Sequence, residues 1–522
     1  MKKRMMGLLL STVMISSLLT GCGGGASDNS AGSGSSQTGG SQTAAVSELK
    51  GPGNVELSFL GQSLDFDPNA DVMAGAIEEK TGYKVNYSML PSDSPDEKLI
   101  ADVAGGVKYD ILKVTQDQFE KLYSKGALMP LKSLLETYGQ DILNGLEDKE
   151  MWTPFSDESG EIYGIPFVNE YPKQVEYITC RKDLMREAGI TEVPETLDEF
   201  YQDLVTLKNY YGDKYIIFSA SGGWDEGCKT IAAAFGIYND WMVDDDGNVI
   251  YMTEHKNYQA YMDFMKKLYS EGLLDSEFAV NTSNNVQEKL ASSQAIMGSC
   301  SHPAQITVST SLVNNYGVAK EDIGYICPLE GENGKELALL EGMEISGKSD
   351  LVNDGKTINS QLDYSLNSLK VQNQEYICIG EEGVHFNKDA EGNYIPIMPK
   401  FTDDKGFAWW YINATDTKTY EVQWQARVHK SEYQWDAFEN TTLYLVENRP
   451  EIYVVNPFLY KPSSGAYVEK NPALKNELQN YMLQVACGND KGLDTFMQDW
   501  KAAGGDSVKE DLQTWYAEYN AK

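Results

Sequence analysis

The chain has 522 residues, 41% of them hydrophobic and 11% aromatic, which is enough apolar content for a globular body with sizeable cores. Asp and Glu outnumber Lys and Arg by 78 to 43, for a formal net charge of −35. That excess excludes nucleic-acid binding by bulk electrostatics and adsorption to an anionic membrane by charge alone, because both need clustered Lys and Arg.

The chain opens with Lys2, Lys3 and Arg4, followed by an apolar stretch over residues 5–19. The stretch fits a signal-peptide core and is short for a membrane span, which needs about 20 residues. It ends in Leu19-Thr20-Gly21-Cys22, which resembles a bacterial lipobox. That resemblance implies a cleaved leader over residues 1–21 and a lipid on Cys22 as the first mature residue. Cleavage removes Lys2, Lys3 and Arg4 and no acid, so −35 becomes −38. Residues 23–46 are almost entirely Gly, Ser, Thr, Gln, Ala and Asn. They bury too little apolar surface to offset chain entropy, so residues 22–52 read as anchor and flexible tether. No second long apolar run follows.

Beyond the tether, residues 54–60 alternate like a strand, 70–80 read as a helix and 83–90 as the next strand. Ser94-Pro95-Asp96-Glu97 is a capping box with Pro at the first helical position, and it predicts a helix through Val103. A short strand is expected over 110–114 and a helix over 116–123. Residues 161–168 and 174–180 read as extended. Thr196-Leu197-Asp198-Glu199 is a second capping box, starting a helix toward Leu207. Asp244-Asp245-Asp246-Gly247-Asn248 reads as a hairpin turn, 257–269 as an amphipathic helix and 323–327 as a strand. After Pro472 the chain reads as helical, broken at Gly488 and Gly504-Gly505. Strands alternating with helices point to an α/β fold with a parallel-rich sheet.

Other signals carry less. Cys180, Cys228, Cys300, Cys327, Cys378 and Cys487 are dispersed, with no CxxC pair, and read mostly as buried free thiols; one disulfide stays open. Gly342-Met-Glu-Ile-Ser-Gly347-Lys348-Ser349 matches GxxxxGK[ST], but Asn353-Asp354-Gly355 breaks the helix that a phosphate loop needs. Aligning Gly247 with the central Gly of an EF-hand puts Met242 first and Thr253 last, so that motif fails; weak calcium binding at the turn stays open, and no other cofactor is expected. The four His show no zinc spacing, and no GxSxG elbow is present.

Taken in order, several stretches resemble the lipoprotein, extracellular solute-binding subunits of bacterial ABC sugar importers, the family related to maltose-binding protein. They are Lys108-Tyr109-Asp110-Ile111 with the run from Phe119 to Leu131, then Gly160-Glu-Ile-Tyr-Gly-Ile-Pro166. Arg181-Lys182-Asp183-Leu184 follows, with Val193-Pro194-Glu195-Thr196 and Leu268-Tyr-Ser-Glu-Gly-Leu-Leu274. Glu382-Gly383-Val384-His385-Phe386 and Phe496-Met-Gln-Asp-Trp-Lys-Ala-Ala-Gly-Gly505 complete the set. The family often has Pro-Asp-Ile where this chain has Tyr109-Asp110-Ile111. The resemblance implies a type II periplasmic-binding-protein-like fold of two α/β lobes. Residues 53–168 and about 330–385 would form lobe 1, and 169–329 and about 386–522 lobe 2. Crossings are expected near residues 165–175 and 323–329. It further implies a monomeric binding protein on the outer face of the cell membrane. Such a protein captures an oligosaccharide between its lobes and delivers it to ABC permease subunits, without catalysis. The competing reading is an exported glycosidase with a pair of cleft carboxylates; a peptide or other polar solute also stays open.

A sugar offers hydroxyls at its edge and C–H at its faces, so its site needs flat aromatics and fixed polar groups. Loops after strands are where such folds place a cleft. The candidates are Gln62, Asp117, Glu170 and Tyr171, then Trp224, Asp225 and Glu226 of the Gly-rich loop after the strand at 215–220, then His302, Trp409 and Trp410. His302 either bonds sugar or satisfies a local backbone group. Asp117 and Glu170 are either cleft or capping and hinge carboxylates. Trp409 and Trp410 would face opposite sides of a strand, leaving at most one for the cleft. Trp500 and Trp515 sit at helical spacing from apolar neighbours and read as core.

Overall fold

The computed structural model describes residues 56–521 except 108, 147, 168–176, 223–227, 328, 332–337, 340–346, 350–370, 391, 413–423, 449–452, 455 and 463. Its first eleven strands in chain order are β1 (Glu56–Gly61), β2 (Lys84–Met89), β3 (Ile111–Val114), β4 (Tyr177–Arg181), β5 (Ile216–Ser219), β6 (Trp241–Val243), β7 (Val249–Tyr251), β8 (Ala295–Cys300), β9 (Ile323–Ile326), β10 (Ala338–Leu339) and β11 (Gly347–Ser349). The first sheet has the order β11-β3-β1-β2, with β1, β2 and β3 parallel and β11 antiparallel to β3. The second has the order β5-β8-β4-β9, with β5 and β8 parallel and β4 antiparallel to both of its neighbours.

The first sheet is buried on both faces by strand alternation. Leu57 and Phe59 of β1 and Ile111 of β3 join one cluster; Leu60, Leu112 and Val114 join the other. Helices follow the strands as the sequence predicts, at Val72–Thr81, Pro95–Ala104 and Gln116–Ser124. The box at Ser94 does not form: Ser94 is left-handed (φ 54°), and its side chain caps nothing. A capping side chain needs extended backbone at that position. Thr196 has it (φ −115°), and there the box closes, with the Thr196 and Glu199 side chains each accepting a backbone N–H at 3.1 Å. Residues 161–167 form no strand; Ile162 makes a bridge to Ser156 beyond a turn tied by Asp157.

The second sheet carries a large core that includes Ile178, Phe200, Phe218, Trp241, Tyr251, Met297 and Trp500. Trp500 is buried and Trp515 packs against the cluster, as their helical spacing predicts. Residues 244–248 form the expected turn between β6 and β7. The last helices are Gly465–Ala486, Leu493–Ala502 and Gly505–Asn520. The first begins before Pro472 and runs through it. Proline costs a helix interior an N–H and a clash. Here the buried stripe Val468, Leu474, Leu478 and Tyr481 offsets that cost, and Asn471 accepts the Trp241 indole N–H at 2.6 Å.

One boundary differs from the sequence reading. Phe386, Phe401, Ala408, Trp410, Tyr411 and Ile412 join the cluster of Leu57 and Phe59, so the chain after residue 385 packs on the first sheet. An aromatic run suits either core, and tertiary contact alone chooses. Ala426 still joins that first core, while its neighbours Trp424 and Val428 pack with Phe438, so the chain leaves the first core only after Ala426. Another change lies between Phe167 in the first core and Tyr177 in the second lobe. A third is abrupt: Phe458 belongs to the second core and Leu459 to the first. The phosphate-loop match ends in β11, with Lys348 opposite Lys113, so a strand stands where that loop needs a helix to begin. Cys180, Cys228, Cys300, Cys327, Cys378 and Cys487 are free thiols.

Candidate functional site

Gln62 leaves the end of β1 and turns inward. Its side-chain amide donates to the Lys113 carbonyl at 3.2 Å and to Gln118 Oε1 at 2.7 Å. Gln118 completes a capping box with Thr115 and donates to Asp96 at 2.8 Å. Gln62 therefore fastens strand ends to a helix start, and both its amide hydrogens are spent within the fold. Asp117 is exposed in the first turn of the helix Gln116–Ser124, where a carboxylate also suits the helix N-terminus. On the same helix Glu120 is only 3% exposed and accepts from Gln116 Nε2 at 3.2 Å. Burial, with Asp117 nearby, pushes its carboxyl up to about 8.

Trp409 and Trp410 lie on a one-turn helix, Ala408–Tyr411, not on a strand. Trp410 is 1% exposed, and its indole donates to the Gln62 carbonyl at 2.8 Å. It presses on Gly61 so closely that a Cβ there would stand 2.4 Å from its ring. Trp410 is therefore core and is removed from the cleft set. Trp409 is 36% exposed, a large aromatic left open to solvent. It sits beside Lys113, whose ammonium lies 5.4 Å from the Trp409 ring centre and 4.2 Å from that of Phe167.

On the second lobe, the end of β5 is built around a buried carboxylate. Asp275 Oδ2 accepts from Ser219 at 2.9 Å, Asn281 at 2.9 Å and Lys289 at 2.8 Å. Burial alone would raise the Asp275 carboxyl, but Lys289 and the other donors outweigh it and hold it below its ordinary value. Asn281 also bonds the Ala220 carbonyl, and its own carbonyl accepts the Gly222 N–H at 3.0 Å. A Cβ on Gly222 would meet the Phe278 and Ala279 carbonyls at 2.9 Å, so this approach needs glycine. The network thus clamps the chain through Gly222, just ahead of Trp224, Asp225 and Glu226 in sequence. Those three residues lie outside the described residues, as do Glu170, Tyr171 and Cys22.

His302 is fully buried, its ring edge-on to Trp424 (5.6 Å) and Phe438 (5.2 Å). It packs inside the second lobe, closed off from solvent. In the acidic turn, Asp244 Oδ1 accepts backbone N–H groups of Asp246 and Asn248 at 3.0 and 2.8 Å. Among the described residues no group of three or more His, Cys, Asp or Glu is placed to hold a metal ion. Sequence reasoning passed over Lys113, Phe167 and Asp275. A lysine inside the apolar strand Ile-Leu-Lys-Val was the available signal, because a buried ammonium must have partners.

The family model described as bacterial extracellular solute-binding protein matches residues 67–354. Lipoprotein LipO of Bacillus subtilis is 25% identical over 99% of this chain and 98% of its own length. A solved structure of the S. pneumoniae ABC-transporter substrate-binding protein FusA, an EF-hand mutant in complex with fructo-nystose, superposes with a TM-score of 0.67 at 20% identity, covering 90% of this chain and all of FusA. The N-glycan transport solute-binding protein NgtS of Streptococcus pneumoniae, in complex with Man1GlcNAc, gives 0.59 at 17% identity over 90% of this chain and all of NgtS. These superpositions establish a type II, two-lobed α/β architecture.

Proposed function

The chain belongs to the bacterial extracellular solute-binding proteins, and from that premise we propose that it captures an oligosaccharide between its lobes and delivers it to an ABC permease. The observation that carries the proposal is Trp409: an indole 36% exposed, on a turn whose carbonyls are tied to the buried Lys113 of β3. An aromatic face matches the C–H face of a sugar ring. Trp224, Tyr171 and the carboxylates Asp225, Glu226, Glu170 and Asp117 would supply further stacking and hydroxyl contacts. The sugars held by FusA and NgtS support this solute class. Binding across the cleft favours the closed form, and the permease would read that form without any bond in the sugar being broken. A lipid on Cys22 would hold the protein at the outer membrane face, as the likeness to the lipoprotein LipO supports.

A thermal-shift screen against an oligosaccharide panel tests this, with the sugar recovered and analysed afterwards. A raised melting temperature with intact sugar supports capture. A cleaved sugar points to the glycosidase reading and defeats the proposal. In the same assay Trp409→Ala is expected to weaken binding about tenfold or more, with little change in unfolding, since the residue is 36% exposed to solvent. Unchanged affinity would remove Trp409 from the site.

A further inference from the structure

We propose that Lys113 is the positioning residue that fixes the exposed Trp409 indole. The proposal rests on the reading of Trp409 as a sugar platform. Lys113 lies in the middle of β3, held between β1 and β11, and is 6% exposed. Its ammonium donates to the Trp409 carbonyl at 2.6 Å and the Trp410 carbonyl at 3.3 Å. It also lies 4.2 Å from the centre of the Phe167 ring and 5.4 Å from that of Trp409.

The chemistry explains the arrangement. A helix leaves its last carbonyls without intrahelical partners. The helix Ala408–Tyr411 is a single turn, so the carbonyls of both tryptophans fall in that class. Lysine near a helix C-terminus satisfies such carbonyls and suits the dipole. A buried ammonium is costly unless compensated, and two carbonyls with two aromatic faces provide compensation here. One side chain thereby joins a rigid strand, the Phe167 ring and the turn that presents Trp409. Trp410 needs no such help, because its own core contacts and its bond to Gln62 hold it.

The test replaces Lys113 and reads the two neighbouring tryptophans separately. Hydroxyl-radical footprinting resolves Trp409 from Trp410 within the tryptic peptide 406–418. In Lys113→Met, Trp409 oxidation is expected to rise about threefold while Trp410 stays protected as an internal control of folding. Lys113→Gln, which keeps an N–H donor but loses the cation, is the second variant and decides by the same criterion if the Met variant does not fold. Unchanged Trp409 oxidation in a folded variant overturns the proposal, and so does a joint rise at both tryptophans in the Gln variant. A second arm measures kestose binding by calorimetry. The Kd is expected to rise about tenfold in Lys113→Met and no further when Trp409→Ala is added. Additive losses would mean that Lys113 acts apart from Trp409 and would overturn the assignment. If neither kestose nor Man5GlcNAc binds the unmodified protein, the oligosaccharide reading fails alone, and the footprint still decides Lys113.

Discussion

Replacing Glu120 by Gln is expected to stabilise the protein at neutral pH, by an amount that grows with pH. Glu120 lies on the helix Gln116–Ser124 where it meets Gly465–Ala486 of the other lobe, 3% exposed. Burial raises its carboxyl most, Asp117 adds to the rise, and Gln116, Lys461 and Lys475 only partly oppose it, leaving it at about 8 against an ordinary 4.5. Between those values the folded state keeps a proton that the unfolded chain has released. Stability therefore falls as pH rises through the window from 4.5 to 8. Each unit is worth about 1.4 kcal/mol, so the penalty is under about 1 kcal/mol at pH 5 and about 3 kcal/mol at pH 7. Gln at this position retains an oxygen to accept the Gln116 N–H and carries no charge at any pH. Urea unfolding of both proteins at pH 5, 6, 7 and 8 measures the difference. Lys405 and Lys430, which burial lowers to about 8, titrate in both proteins and cancel. A difference that does not change with pH would refute the reasoning, because it would mean that Glu120 ionises as freely in the fold as outside it.

Asp275→Ala removes the shared acceptor of Ser219, Asn281 and Lys289. Lys289 keeps Glu277 at 2.7 Å, so the expected loss is about 3 kcal/mol, at the lower end for a broken buried pair; a denaturant midpoint shift worth less than about 1 kcal/mol would show that the network is slack. Gly61→Ala is expected to cost about 2 kcal/mol by overpacking, since its Cβ would stand 2.4 Å from the Trp410 ring. Chemical denaturation measures that loss, and wild-type stability would mean that the ring yields at no cost.

The sequence was a good guide wherever a local rule and the tertiary fold agree. Thr196 and Glu199 are three apart and the backbone before them is extended, so the helix start was readable. Ser94 has the same spelling, but a left-handed backbone before Pro95 turns its side chain away. Pro472 forbids nothing once Asn471 and the apolar stripe are docked on the second lobe. The site was legible only in outline. Gln62, His302 and Trp410 have the right chemistry for a sugar, and the first two follow strands as a cleft residue should. Hydrogen bonds inside the fold claim Gln62, and complete burial claims the other two. Composition could not separate Trp410 from Trp409, because one residue step on a one-turn helix decides which ring points into the core.

Periodicity by itself determined an α/β chain, and the ordered motifs, through their resemblance to a known family, implied its two lobes, because both depend on patterns spread over many residues. The tertiary structure alone decided which lobe owns residues 386–412, which carboxylate is buried between helices, and that a lysine in β3 holds the exposed tryptophan. Each of those outcomes depends on a contact between segments far apart in the chain, and side-chain chemistry is ambiguous until that contact selects whether a group meets water, a carbonyl or another ring.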